Sequence, residues 1–182
     1  RIGRARRSAE WPHHQSCDAG CNDGSYSPRV DGFALQSDGR ILVFGEIPLR
    51  RLNFDGSLDT SFQPANVFYL EGTTNFQGSV MDVLVQPDGK IVVAGHFFNI
   101  QTAPGQSVQR TCIARFNSDG SFDSTFDPGT FIGSVGFDNY GFPNLFAAHV
   151  VRQTAGANSG KLVVEGEFNN VADHRPSAGL VP

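Results

Sequence analysis

Two short loops carry the chain's densest arrays of side-chain oxygens. Asn53, Asp55 and Asp59 alternate through NFDGSLD, and Asn117, Asp119 and Asp123 alternate through NSDGSFD. Such oxygens would suit calcium, which takes six to eight of them, but neither loop has the glycine position or the terminal bidentate glutamate of an EF-hand. Asn and Asp at this spacing also close their own turns by accepting backbone N–H bonds, while glycine takes the left-handed conformation beside them. The turn is therefore the expectation. No cofactor is expected, and calcium is the one ion these residues would fit.

Three other sets of residues have chemical potential. Glu46, His96 and Glu167 each follow a strand-closing glycine, so in stacked units they would lie at one end and form a cluster able to bind a cation or share a proton. A polar residue leaving a buried strand for solvent is the plainer account. Tyr69 and Tyr140 offer amphipathic rings that can stack on sugars. Cys17 and Cys21, in CDAGC, can close a small disulfide loop or join His13 and His14 around a metal, whereas Cys112 reads as a buried thiol. No Ser/His/Asp elbow, P-loop or dinucleotide fingerprint occurs, and no catalytic residue is assigned.

The elements that must position these groups are repeats. QPDGKIVVAG, from Gln86 to Gly95, has counterparts in QSDGRILVFG, from Gln36 to Gly45, and in GKLVVEG, from Gly160 to Gly166. Asp-Gly between two apolar runs predicts a hairpin, because glycine accepts positive φ without penalty. At an offset of 50, residues 33–45 and 83–95 share six identities in thirteen positions. The following stretch, RLNFDGSLDTSF from Arg51, matches RFNSDGSFDSTF from Arg115 at seven of twelve positions with an offset of 64. The polar segment NIQTAPGQSVQ absorbs the difference and reads as a long surface loop. A third unit begins near Leu145, with TAGANSG in place of the Asp-Gly turn. The predicted organisation is an irregular segment, 1–29, and repeat units of about 30–79, 80–143 and 144–182.

Composition agrees with many short strands: 16 Phe, 21 Gly and 10 Pro in 182 residues, and no stretch with a helical apolar period. The formal net charge is −4, and four of the fourteen basic residues are Arg1, Arg4, Arg6 and Arg7, so the rest of the chain is more acidic still. An acidic body argues against a nucleic-acid partner. No apolar run approaches the roughly 20 residues of a membrane span. The runs ILVF and IVVA are continuous rather than alternating, which predicts strands covered on both faces. Sheets stacked face to face in an all-β, propeller-type array of about three antiparallel units meet that requirement.

DVLVQPDGKIVVAGHF followed by IARFNSDGSFDSTFDP resembles the delta-60 repeat family over about residues 33–171. The resemblance implies a β-propeller-like domain of large bacterial exported or surface proteins, and it implies no catalytic residues. Three units fall short of the four to eight blades of a closed ring, so other repeats or other copies of the chain are the expected partners, reached through exposed strand edges. The expected function is a non-enzymatic extracellular structural module. Its rivals are a polysaccharide hydrolase or lyase using Glu46 and Glu167, and a glycan- or calcium-binding module.

Overall fold

The computed structural model describes residues 29–71, 74–128, 146–167 and 180–181. These residues form strands, turns and bridges with no helix. In chain order the strands are β1 Val30–Leu35, β2 Ile41–Gly45, β3 Arg50–Leu52, β4 Asn66–Glu71, β5 Thr74–Gln77, β6 Ser79–Val85 and β7 Ile91–His96. Then come β8 Asn99–Ala103, β9 Gln106–Gln109, β10 Ile113–Phe116, β11 Phe146–Arg152, β12 Leu162–Glu167 and β13 Leu180–Val181. Three antiparallel sheets repeat one plan, β1-β2-β3, β6-β7-β10 and β11-β12-β13. In the first two, Leu52 bridges Leu58 and Phe116 bridges Phe122, adding a single-residue fourth edge.

The first two of these sheets start from the hairpin that the Asp-Gly turns dictate. The Gln36 N–H donates to the Arg40 carbonyl (2.9 Å) and the Gly39 N–H to the Gln36 carbonyl (3.0 Å), with Gly39 at φ +84°. Asp38 Oδ1 accepts the Arg40 N–H, and Asp88 repeats this with Lys90. In the third sheet the Gln153 N–H donates to the Lys161 carbonyl (2.9 Å), so the longer TAGANSG loop closes the same hairpin.

The opposite end of every hairpin carries a bulge, between Val30 and Gly32, Val80 and Asp82, and Ala147 and His149. Gly45, Gly95 and Gly166 lie against these bulges. A Cβ on Gly95 or Gly166 would collide with the carbonyl oxygen of Ser79 or Phe146, and one on Gly45 with that of Arg29. The recurring glycine is thus demanded by close backbone approach.

The sheets stack, and the two faces of β7 feed two separate cores. Ile91 and Val93, with Ala114 and Phe116 of β10, join Leu42 and Phe44 of β2 in one cluster. Val92 and Ala94, with Ile113, join Ala147, Val150 and Val164 of the third sheet in the other. Each fully buried aliphatic side chain contributes on the order of 1.5–3 kcal/mol, and here a neighbouring sheet supplies the cover. In β7 both faces are sealed: Ile91 to Ala94 are all 0% exposed. In β2, Leu42 and Phe44 are buried while Ile41 and Val43 are half-exposed, so the apolar run ILVF is covered on one face.

The segment expected as a long surface loop is instead a hairpin. NIQTAPGQSVQ forms β8 and β9, and β8 pairs with β4 (Asn66↔Gln101, Val67↔Ile100, Phe68↔Asn99) in a sheet of order β5-β4-β8-β9. Val67, Phe97 and Ile100 anchor this side sheet in the first core.

Candidate functional site

The side chains that recur with the same geometry in two units form a polar staple around a buried carboxylate, Asp59 in the first and Asp123 in the second. In the second unit, Arg115 Nε and Lys90 Nζ both donate to Asp123 Oδ2, at 2.8 Å each, and the Arg115 guanidinium lies 4.6 Å over the Phe126 ring. In the first unit, Arg51 Nε donates to Asp59 Oδ2 at 2.8 Å, Arg40 Nε stands 3.6 Å from the same oxygen, and Arg51 lies 4.5 Å over Phe62. The second oxygen of each carboxylate closes a turn: Asp59 Oδ1 accepts the Ser61 N–H and hydroxyl, and Asp123 Oδ1 accepts those of Thr125. Arginine suits this place because its planar fork serves a carboxylate while its face stacks on an aromatic ring.

The staple also ties units together. Arg51 Nη1 reaches past its own unit to the Ser118 carbonyl, while Arg115 Nη1 turns to Gln86 Oε1 (3.5 Å). In the first unit Arg51 Nη1 goes to Ser118 instead, and the equivalent Gln36 Oε1 is buried without a hydrogen-bond partner among the described residues. Backbone bonds run alongside, from the Gln63 N–H to the Asp119 carbonyl (3.4 Å) and from the Ala65 N–H to the Gly120 carbonyl (3.3 Å).

These contacts fix the charge state. The Ser61 hydroxyl, acting against burial and with help from Arg51, holds the Asp59 carboxyl down at about 2. Burial opposes ionisation of Asp123, but Lys90, Thr125 and Arg115 outweigh it and hold that carboxyl well below the usual carboxylate range. Asp55 and Asp119 are lowered by Ser57 and Ser121, whose hydroxyls and N–H groups they accept. Asn53 and Asn117 donate to the hydroxyls of Ser57 and Ser121. All six loop residues thus close turns or hold the staple. Among the described residues no group of three or more His, Cys, Asp and Glu is placed to hold a metal ion.

Glu46, His96 and Glu167 occupy equivalent strand ends but have different surroundings. Glu46 Oε2 accepts the Arg29 N–H (3.0 Å), His96 packs its ring edge-on to Phe98 with centroids 6.1 Å apart, and Glu167 is exposed opposite Phe146. Tyr69 lies in β4 with its backbone opposite Phe76. Tyr140, Cys17 and Cys21 fall outside the described residues.

Cys112 is buried at φ +63°, and the Ile113 N–H bonds back to the Thr111 carbonyl (2.8 Å) across it, a strained γ-turn at the entry to β10. Burial pushes its thiol up to about 12, which removes the thiolate that reactivity would need. A recess lined mainly by Leu49, Pro64, Val67, Val80 and Phe116 encloses a cavity of only about 10 Å³. That is room for about one water molecule, far below the roughly 300–1,000 Å³ of small-molecule pockets.

Sequence reasoning missed Arg51, Arg115, Lys90, Phe62 and Phe126 as a set. The signal was present, since each arginine stands eight residues before its aspartate in both units.

Small antiparallel sheets, stacked face to face and repeated along the chain, define a propeller-type repeat architecture. A family model described as a domain of unknown function (DUF5122) beta-propeller matches residues 36–62 and 86–126. Both matched segments open at the hairpin-turn glutamine and close at the aromatic under the staple arginine, so the two matches bracket equivalent structure. No curated protein and no solved structure matches the chain.

Proposed function

We propose that the chain is a non-enzymatic extracellular scaffold module, built of delta-60-like β repeats that associate through their blade edges with further repeats or other copies of the chain. The observation that carries this reading is the use of the recurring polar groups. Arg51, Asp59, Lys90, Arg115 and Asp123 hold turns and hairpins together within their units, and Arg51 also reaches the Ser118 carbonyl of the next unit. The carboxylates of Asp59 and Asp123 are held ionised rather than poised to exchange a proton. The acidic body supports a partner other than nucleic acid. No described helix is long and apolar enough to cross a membrane.

The purified full chain, applied to a glycan array and assayed for turnover of the same polysaccharides, is expected to give neither capture nor cleavage. Cleavage would overturn the reading in favour of a hydrolase or lyase, and capture without cleavage would favour a glycan-binding module. Thermal melts with calcium and with a chelator are expected to coincide. A calcium-dependent rise in Tm would make the Asn53–Asp59 and Asn117–Asp123 loops ion sites.

A further inference from the structure

The chain carries its own record of what covers one face of a unit. On the second sheet, Val83, Val85, Ile91, Val93 and Phe116 pack against the first sheet. By register the same positions of the first sheet are Phe33, Leu35, Ile41, Val43 and Leu52. Here they form an apolar surface, with Phe33 69% and Leu35 66% exposed. The loop beside it repeats the contrast. A Cβ on Gly120 would meet Pro64 and Phe62 of the preceding unit, whereas the equivalent Gly56 faces open space and its neighbour Phe54 is 86% exposed.

At the other end of the array, the third sheet turns the complementary face outward. Val151 and Val163 correspond by register to Leu84 and Val92 of the second sheet, which join the core shared with the third. Val151 is 55% exposed. The two outward faces also differ in charge: Arg50 shares a face with Val43, and Glu165 occupies the position of Phe44 and Ala94.

We propose that the exposed face of the first sheet is a docking surface for a second copy of this chain, which seats the outward face of its third sheet there. The contact continues the first-to-second and second-to-third stacking seen within the chain. It is heterologous, joining different patches on the two copies. Made reciprocally, it brings the three sheets of each copy into one closed array, within the four to eight blades of propellers. This inference rests on the scaffold reading but puts the contact on a sheet face rather than an edge.

Sedimentation and light scattering of the full chain test it. The wild type is expected to be a dimer, and Leu35→Asp and Val151→Asp, both at exposed positions, each weaken association by about tenfold or more. Circular dichroism and Tm of the two variants establish that they fold. Mixing them restores association through the one face pair left intact in each mixed dimer. Arg50→Glu weakens the dimer, and adding Glu165→Arg rescues it. A folded monomeric wild type would overturn the proposal, as would filaments growing without closure. So would a Val151→Asp variant that dimerises as tightly as wild type while Leu35→Asp does not, since that pattern marks a symmetric contact of first sheets. A monomer inert toward glycans would sink this inference and leave the scaffold reading standing, whereas a dimer that cleaves polysaccharide would do the reverse.

Discussion

Asp123 accepts from four donors, Lys90 Nζ and Arg115 Nε on one oxygen and the Thr125 N–H and hydroxyl on the other. In the unfolded chain an aspartate takes up its proton near pH ~4. As the pH falls through that value the unfolded chain binds protons that folded Asp59 and Asp123 still refuse, so stability present above it is lost progressively. Asp59 titrates at about 2, and Asp123 is likewise held well below the usual carboxylate range. A urea midpoint followed from pH 7 downward is expected to stay flat to about pH 5 and then decline toward pH 2. Asp123→Ala should cost about 3 kcal/mol at neutral pH, because it strands two cations around a site that is 4% exposed. Asp55→Ala, at an exposed turn, should cost much less. Combining Asp123→Ala with Arg115→Ala should fall well short of the sum of the single losses, since both remove the same contact.

In the hairpins, the closing glycine is where backbone meets backbone. Gly95→Ala drives a methyl into the Ser79 carbonyl and should lower stability by about 2–3 kcal/mol, read as a fall in Tm. Gly105→Ala has open space around it and only a positive φ to tolerate, so about 1 kcal/mol is expected. The sequence showed the hairpins because Asp38-Gly39 and Asp88-Gly89 are local signals, complete within a few residues. It did not show why Gly45, Gly95 and Gly166 recur, since a bulge shifts register by one residue on the opposite strand and leaves no mark in either strand's own pattern. The hairpin of β8 and β9 was hidden for a related reason. Gln101, Thr102, Gln106 and Gln109 lack the apolar alternation of a half-buried strand, and the partner of β8 is β4, some thirty residues earlier. The staple was half legible: its aspartates stood out as oxygen donors and its arginine and phenylalanine lie in the same repeated stretch, but Lys90 comes from the hairpin turn, 33 residues before Asp123.

Across the molecule, cover by neighbours decides local stability. Native-state hydrogen exchange is expected to find the slowest amides in β7, sealed between two cores, with β1 and β12 at the outer sheets exchanging faster. Protection in β1 equal to that in β7 would contradict the stacking order. ILVF and IVVA are equally apolar as strings, and only the count of flanking sheets separates them, which no single strand encodes. The side sheet draws β4 from the stretch leaving the first unit and β8 from an excursion within the second, so a backbone ladder sews that pair together. Among the described residues the second and third units share packed side chains and the Val150 N–H donated to Asp82, a tie that needs no common ladder. Heredity therefore meets two kinds of seam: recombination that parts the first unit from the second tears a sheet, while one that trades the third for another asks only for a face of matching shape.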